Sequence, residues 1–130
     1  MSKRIFYFLL VLSLLLTACG SKAATLTEAD DGTRIELSPG QTLIITLPSN
    51  PTTGYSWQVA QIDTNLLEQQ GQPEYQQSPG SKDMVGAGGA ETFRFKALGT
   101  GQTDLQLAYQ RPWENGVPPI QTFSVTVIVR

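Results

Sequence analysis

Apolar residues fall on every second position in one short stretch of this chain after another. Phe123, Val125, Val127 and Val129 form the last such stretch; Leu105, Leu107 and Tyr109, Phe93, Phe95 and Ala97, and Leu43, Ile45 and Leu47 form earlier ones. A two-residue period sends alternate side chains to opposite faces of an extended backbone, so each stretch offers one apolar face to a core. Clusters of Gly, Pro, Asn and Ser, such as Ser38-Pro39-Gly40, separate the stretches and interrupt any helical period. The chain is therefore expected to be all-β.

Three further segments complete the set. Arg34-Ile35-Glu36-Leu37 alternates; Tyr55, Trp57 and Val59 do so after a turn; and Glu74-Tyr75-Gln76-Gln77 reads as a short edge strand. About seven strands in ~100 residues predict an antiparallel β-sandwich of immunoglobulin-like architecture. Residues 63–68 read instead as a single helical turn, capped by Asp63 or Thr64, crossing between strands. No internal repeat or low-complexity tract is present.

The start of the chain has a different character. Basic Lys3 and Arg4 precede an apolar run over residues 5–16, and Leu16-Thr17-Ala18-Cys19 follows. The run falls short of the roughly 20 helical residues that a bilayer core requires, which marks a cleavable export signal. Small residues ending at a cysteine resemble a bacterial lipobox, so residues 1–18 are expected to be removed and Cys19 acylated, as with palmitate. An ordinary secretory signal with a chance cysteine is the alternative. Residues 20–24 then form a short tether, and residues 25–130 form the folded domain. The expected location is the bacterial cell envelope, at the outer membrane if the cell is Gram-negative.

Composition removes many functions. With no histidine and Cys19 as the only cysteine, His- or Cys-based zinc sites, Ser-His-Asp triads and Cys-His dyads are all out of reach. No disulfide can form within the domain. Without Lys3 and Arg4, seven Lys and Arg face eleven Asp and Glu, a formal charge of −4. No basic run is available to neutralise phosphates, so nucleic acid is not an expected partner. A monomer without metal or cofactor is expected. Glycoside hydrolysis needs only two acids, yet the acids here are scattered singly, so a carboxylate enzyme would require Glu91, Asp104 or Glu114 to meet a second carboxylate in one cleft.

Function is therefore sought in loops. In Asn50-Pro51-Thr52-Thr53-Gly54-Tyr55, Pro51 fixes its own φ and biases Asn50 towards extended geometry, and Gly54 allows a sharp re-entry into the next strand. In Gly86-Ala87-Gly88-Gly89, near-absence of side chains lets another backbone come close. Arg111-Pro112-Trp113-Glu114 carries a tryptophan that no alternating pattern buries. Each has a plain structural explanation: a turn, a flexible linker and a core plug respectively.

Taken together and in this order, the three motifs resemble those of chagasin-type inhibitors of papain-like cysteine peptidases. The resemblance runs from about residue 36 to the end. It implies an immunoglobulin-like sandwich whose three loops form a wedge at one end. Asn50, Pro51, Thr52, Thr53, Gly54 and Tyr55 would then approach the peptidase, with Thr52 and Thr53 beside its catalytic thiol. Gly86, Gly88 and Gly89 would run along one side of the cleft, and Arg111, Pro112 and Trp113 along the other. Glycine-loop backbone could add hydrogen bonds by strand addition, and Arg111 either contacts the target or braces its own loop through Glu114. The competing class is a lipid-anchored module that recognises another envelope protein, peptide or glycan.

Overall fold

The computed structural model describes residues 22–79 and 88–130. These form nine strands: β1 (Ala24–Leu26), β2 (Arg34–Leu37), β3 (Thr42–Ser49), β4 (Ser56–Gln61), β5 (Leu67–Gln69), β6 (Glu74–Gln77), β7 (Gly89–Ala97), β8 (Gly101–Gln110) and β9 (Gln121–Val129). One sheet has the order β1-β3-β7-β5, with β6 also paired to β7; the other has the order β2-β9-β8-β4. The all-β sandwich expected from the alternating pattern is present.

The two strands beyond the expected seven are β1 and β5. Each has three residues, too few for a two-residue period to register. Ala24, placed at the end of the expected tether, already lies in β1 and pairs with Leu43. Leu67 leaves the expected helical segment to pair with Ala97. The helical tendency is confined to one turn, in which Asp63 accepts from the amides of Asn65, Leu66 and Leu67.

The alternation directs the core. Leu43 and Ile45 lie opposite Phe95 and Phe93 within the first sheet, with Leu47 and Ala97 on the same buried face, and Leu105, Leu107 and Tyr109 lie beside Phe123, Val125, Val127 and Val129 in the second. All are buried in one cluster with Leu26, Leu37, Trp57 and Leu67. Tyr55 and Val59 pack against it while half-buried.

The sandwich is not wholly antiparallel. β1 runs parallel to β3, and β2 runs parallel to β9. The chain travels with β1 along the first sheet, crosses over residues 27–33 and returns with β2 along the second. Asp30 Oδ2 accepts from the Thr27 amide at 2.8 Å and Asp31 Oδ1 from the Ser124 amide at 2.8 Å, which fixes this crossing.

Strand direction sorts the connections between two poles. Ser49 pairs with Gly89, Gln77 with Gly89, Ser56 with Gln110 and Tyr109 with Gln121. The connections over residues 50–55 and 111–120 therefore share one pole with Ser78 and Gly88, which follow β6 and precede β7. The opposite pole holds the turn at residues 38–41, Lys22 and Arg130.

Phe95 lies at the centre of this packing, fully buried and stacked 6.3 Å from Phe93. Phe95→Ala is expected to lower unfolding free energy in urea by about 3–5 kcal/mol, as large core truncations do.

Candidate functional site

The shared pole is built on stems that the core has already fixed. β3 ends at Ser49 in the first sheet and β4 begins at Ser56 in the second, so residues 50–55 bridge the two sheets. Pro51, Thr52 and Thr53 form a single 3-10 turn. The Thr53 amide donates to Asn50 O and the Gly54 amide to Pro51 O. Asn50, with φ −132° and ψ 88°, stays out of the helical region that a following proline disfavours. Gly54 has φ +82°, in the left-handed region.

Both threonine hydroxyls donate inwards. Thr52 Oγ1 donates to Asn50 Oδ1 at 2.6 Å, and Thr53 Oγ1 donates to Asn50 O at 2.6 Å. The Asn50 amide donates in turn to Tyr109 Oη at 2.9 Å, tying the start of the loop to the second sheet. Tyr109 lies between Tyr55 and Trp57, with ring centroids 5.5 and 5.1 Å away.

The connection from β8 to β9 leans on this loop. Arg111 Nε donates to Thr53 O at 3.1 Å, its Nη1 donates to Glu114 Oε1 at 3.1 Å, and its guanidinium carbon sits 4.4 Å from the Tyr55 ring centroid. Arg111 thus braces two loops at once, through Thr53 as well as the expected Glu114. Trp113 is 66% exposed, so it is not a core plug. Its indole nevertheless covers Gly54: a β-carbon there would overlap Cη2 and lie 3.0 Å from Cζ2. Two separate constraints select glycine at this position.

Of the glycine motif, Gly86 and Ala87 lie outside the described residues. Gly88 and Gly89 do admit a close backbone, and that backbone is the chain's own. A β-carbon at Gly89 would strike Gln76 O and sit 2.8 Å from Gln77 Cα; one at Gly88 would lie 3.2 Å from Ser49 O. Gly89 is paired with Ser49 on one side and Gln77 on the other, and Gly88 O accepts from the Ser78 amide at 3.2 Å. Strand addition at Gly89 is therefore closed by internal pairing. An open groove of about 430 Å³ lies between this stem and the first loop, lined by Pro48, Ser49, Asn50, Ser78, Tyr109 and Gln121 among others.

The candidate carboxylates do not pair with one another. Glu114 binds Arg111, Asp104 accepts from Thr126, and Glu91 accepts from Ser49 and Trp57. Among the described residues no group of three metal-ligating side chains converges. Glu91 is a residue whose place in the site the loop motifs do not reveal. Its signal in the sequence is positional: it occupies the core-facing parity of Phe93, Phe95 and Ala97, where a carboxylate is out of place.

Residues 36–127 match the Chagasin family peptidase inhibitor I42. The chain belongs to the chagasin family. It is 32% identical over 119 residues to Amoebiasin-2 of Entamoeba histolytica, covering 91% of this chain and 94% of that protein. With chagasin of Trypanosoma cruzi it shares 31% identity over 100 residues, 76% of this chain and 91% of the relative. A crystal structure of a cysteine protease inhibitor from Entamoeba histolytica superposes with a TM-score of 0.75 at 30% identity, covering 84% of this chain and 96% of that one. Family membership makes this chain a peptidase inhibitor and not an enzyme.

Gly54→Ala is expected to cost about 1–2 kcal/mol through its left-handed φ alone, and additionally to displace Trp113. Gly40→Ala, at φ +85° with nothing within 4 Å, supplies the comparison. Urea denaturation should register both substitutions. Only Gly54→Ala should alter the near-UV circular dichroism of the tryptophans.

Proposed function

We propose that this chagasin-family domain, acting as a monomer, reversibly inhibits papain-like cysteine peptidases by filling the active-site cleft with its loop pole. The supporting observation is the convergence and cross-bracing of the motif loops: Arg111 and Trp113 both bear on residues 53–55, which bridge the two sheets. Asn50, Pro51, Thr52, Thr53, Gly54 and Tyr55 would enter the centre of the cleft. Gly86, Gly88 and Gly89 would lie to one side and Arg111, Pro112 and Trp113 to the other.

Rigidity is the physical basis of affinity in this reading. A loop already ordered before contact loses little conformational entropy on binding. The inward donation by Thr52 and Thr53 leaves their methyl groups to face the thiolate and outer lone pairs to accept from the imidazolium. Cleavage requires close alignment of thiolate and carbonyl, and a braced 3-10 turn resists the extended geometry of a substrate. Trp113, exposed and backed by Gly54, supplies the large rigid contact typical of interface hot spots.

The proposal includes export and lipid attachment at Cys19, on the envelope surface. Supporting it is the position of Lys22, whose carbonyl accepts from Gln41 Nε2 at 2.7 Å, at the pole opposite the loops. Strands of nine residues at roughly 3.3 Å each would hold the loops about 30 Å from the anchored end. A lipid-borne domain would then face its targets across the aqueous side.

A soluble form lacking residues 1–19 is expected to inhibit papain-like peptidases at micromolar concentration or below; no inhibition across a panel of them overturns the reading. Trp113→Ala should raise the inhibition constant about 30-fold, the equivalent of ~2 kcal/mol at a hot spot, with the melting temperature unchanged. In cells given labelled palmitate, the full chain should take up label and fractionate with membranes. Cys19→Ala should abolish both.

A further inference from the structure

We propose that Glu91 is a positioning residue that keeps the loop over residues 50–55 in a form the peptidase cannot cut. The proposal rests on the inhibitor reading above. Glu91 is 8% exposed, and one carboxylate oxygen, Oε2, accepts from Ser49 Oγ at 2.6 Å and from the Trp57 amide at 3.0 Å. Ser49 is the last residue of β3 and Trp57 the second of β4, so these two donors sit on either side of the loop, one in each sheet. Glu91 itself lies two residues beyond Gly89, in the strand that follows the glycine motif. A single atom therefore sets the separation of both loop stems and references them to the stem of the next loop.

Ordinary core packing does not account for a carboxylate here. No Lys or Arg pairs with Glu91 among the described residues, whose ion pairs join Arg94 to Glu74, Arg111 to Glu114 and Arg130 to Glu36. Burying a charge without a counter-ion is unfavourable, and an apolar residue would fill the space. What an apolar residue cannot do is satisfy the Trp57 amide and the Ser49 hydroxyl together. Charge-assisted hydrogen bonds are shorter and stronger than neutral ones, which suits a clamp beneath a loop under load. Trp57 Nε1 donating to Pro48 O at 2.9 Å is a second link between the same stems, so the geometry there is set from two sides.

The consequence is kinetic as well as energetic. With the stems released, the loop can extend, and the peptidase thiolate can add to a loop carbonyl. The peptide C–N bond then breaks, the leaving amine takes a proton from the imidazolium, and water, activated by the resulting imidazole, hydrolyses the thioester. An intact clamp withholds that alignment.

The test uses the full chain purified in mild detergent, as wild type, Glu91→Gln and Val127→Ala, the last a core truncation remote from the loop pole. Glu91→Gln keeps the size of the side chain and loses its charge. It is expected to raise the inhibition constant at least tenfold, mainly through faster dissociation. Incubation with stoichiometric papain should cut it within residues 50–55, read by mass spectrometry, while wild type and Val127→Ala stay whole. If Glu91→Gln does not fold, Ser49→Ala removes one of the two bonds and should show the same cleavage more slowly. Uncut loops and Val127→Ala-like inhibition in whichever variant folds would overturn the assignment of Glu91. Absence of inhibition by wild type would instead overturn the inhibitor reading.

Discussion

The antiparallel pairing of β3 with β7 is the interaction on which the rest of this structure depends. Its register runs unbroken from Thr42 opposite Lys96 to Ser49 opposite Gly89. Because side chains alternate, a slip of one residue would turn Leu43, Ile45 and Leu47 outwards while Phe93 and Phe95 stayed in the core. The burial of these residues therefore fixes the register, and the register fixes where the strands end. Ser49 and Gly89 become neighbours, and the first two loop motifs arise side by side without any contact of their own being needed to find each other.

The second sheet places the third motif by the same logic. Tyr109 pairs with Trp57 and with Gln121, so the stems of residues 50–55 and 111–120 meet around one aromatic side chain. Tyr109 ties the first loop to the second sheet in two ways: its ring packs between Tyr55 and Trp57, and its hydroxyl accepts from the Asn50 amide just beyond β3. Arg111 follows two residues later, near enough to reach Thr53 and the Tyr55 ring. Core residues at the pole thus shade continuously into the site.

Much of this was legible in the sequence because its cause is local. Alternation at residues 43–47, 93–97, 105–109 and 123–129 identified strands and their buried faces, and Pro51 and Gly54 marked the loop between two of them. What was not legible depends on pairs distant in the chain. β1 and β5 are strands only because β3 and β7 offer them an edge. Gly54 is glycine partly because Trp113 lies over it, a neighbour 59 residues away. Gly89 is bare because β6 closes on it, so the reading that its backbone awaits a partner mistook an internal contact for an external one. Glu91 was visible as a carboxylate on a core-facing position. Its donors, however, come from two other strands, and only the folded register brings them together.

Small extracellular domains often fix their loops with disulfides, and this chain, with a single cysteine, has no internal disulfide to do so. Its loop pole is instead held from both sides by charged groups. Beneath, the Glu91 carboxylate joins β3 to β4; above, the Arg111 guanidinium joins Thr53, Glu114 and the Tyr55 ring. The two devices differ from a disulfide in a way that suits an inhibitor of thiol peptidases. A disulfide at the tip of a loop brought against a reactive thiolate would be open to exchange. Hydrogen bonds and ring contacts offer that thiolate no sulfur to attack. The same geometry explains how Pro-Thr-Thr-Gly, which is plain turn chemistry on its own, becomes a braced loop: the bracing resides less in the four residues than in Glu91, Trp57 and Tyr109, which hold its stems, and in Arg111 and Trp113, which bear on Thr53 and Gly54.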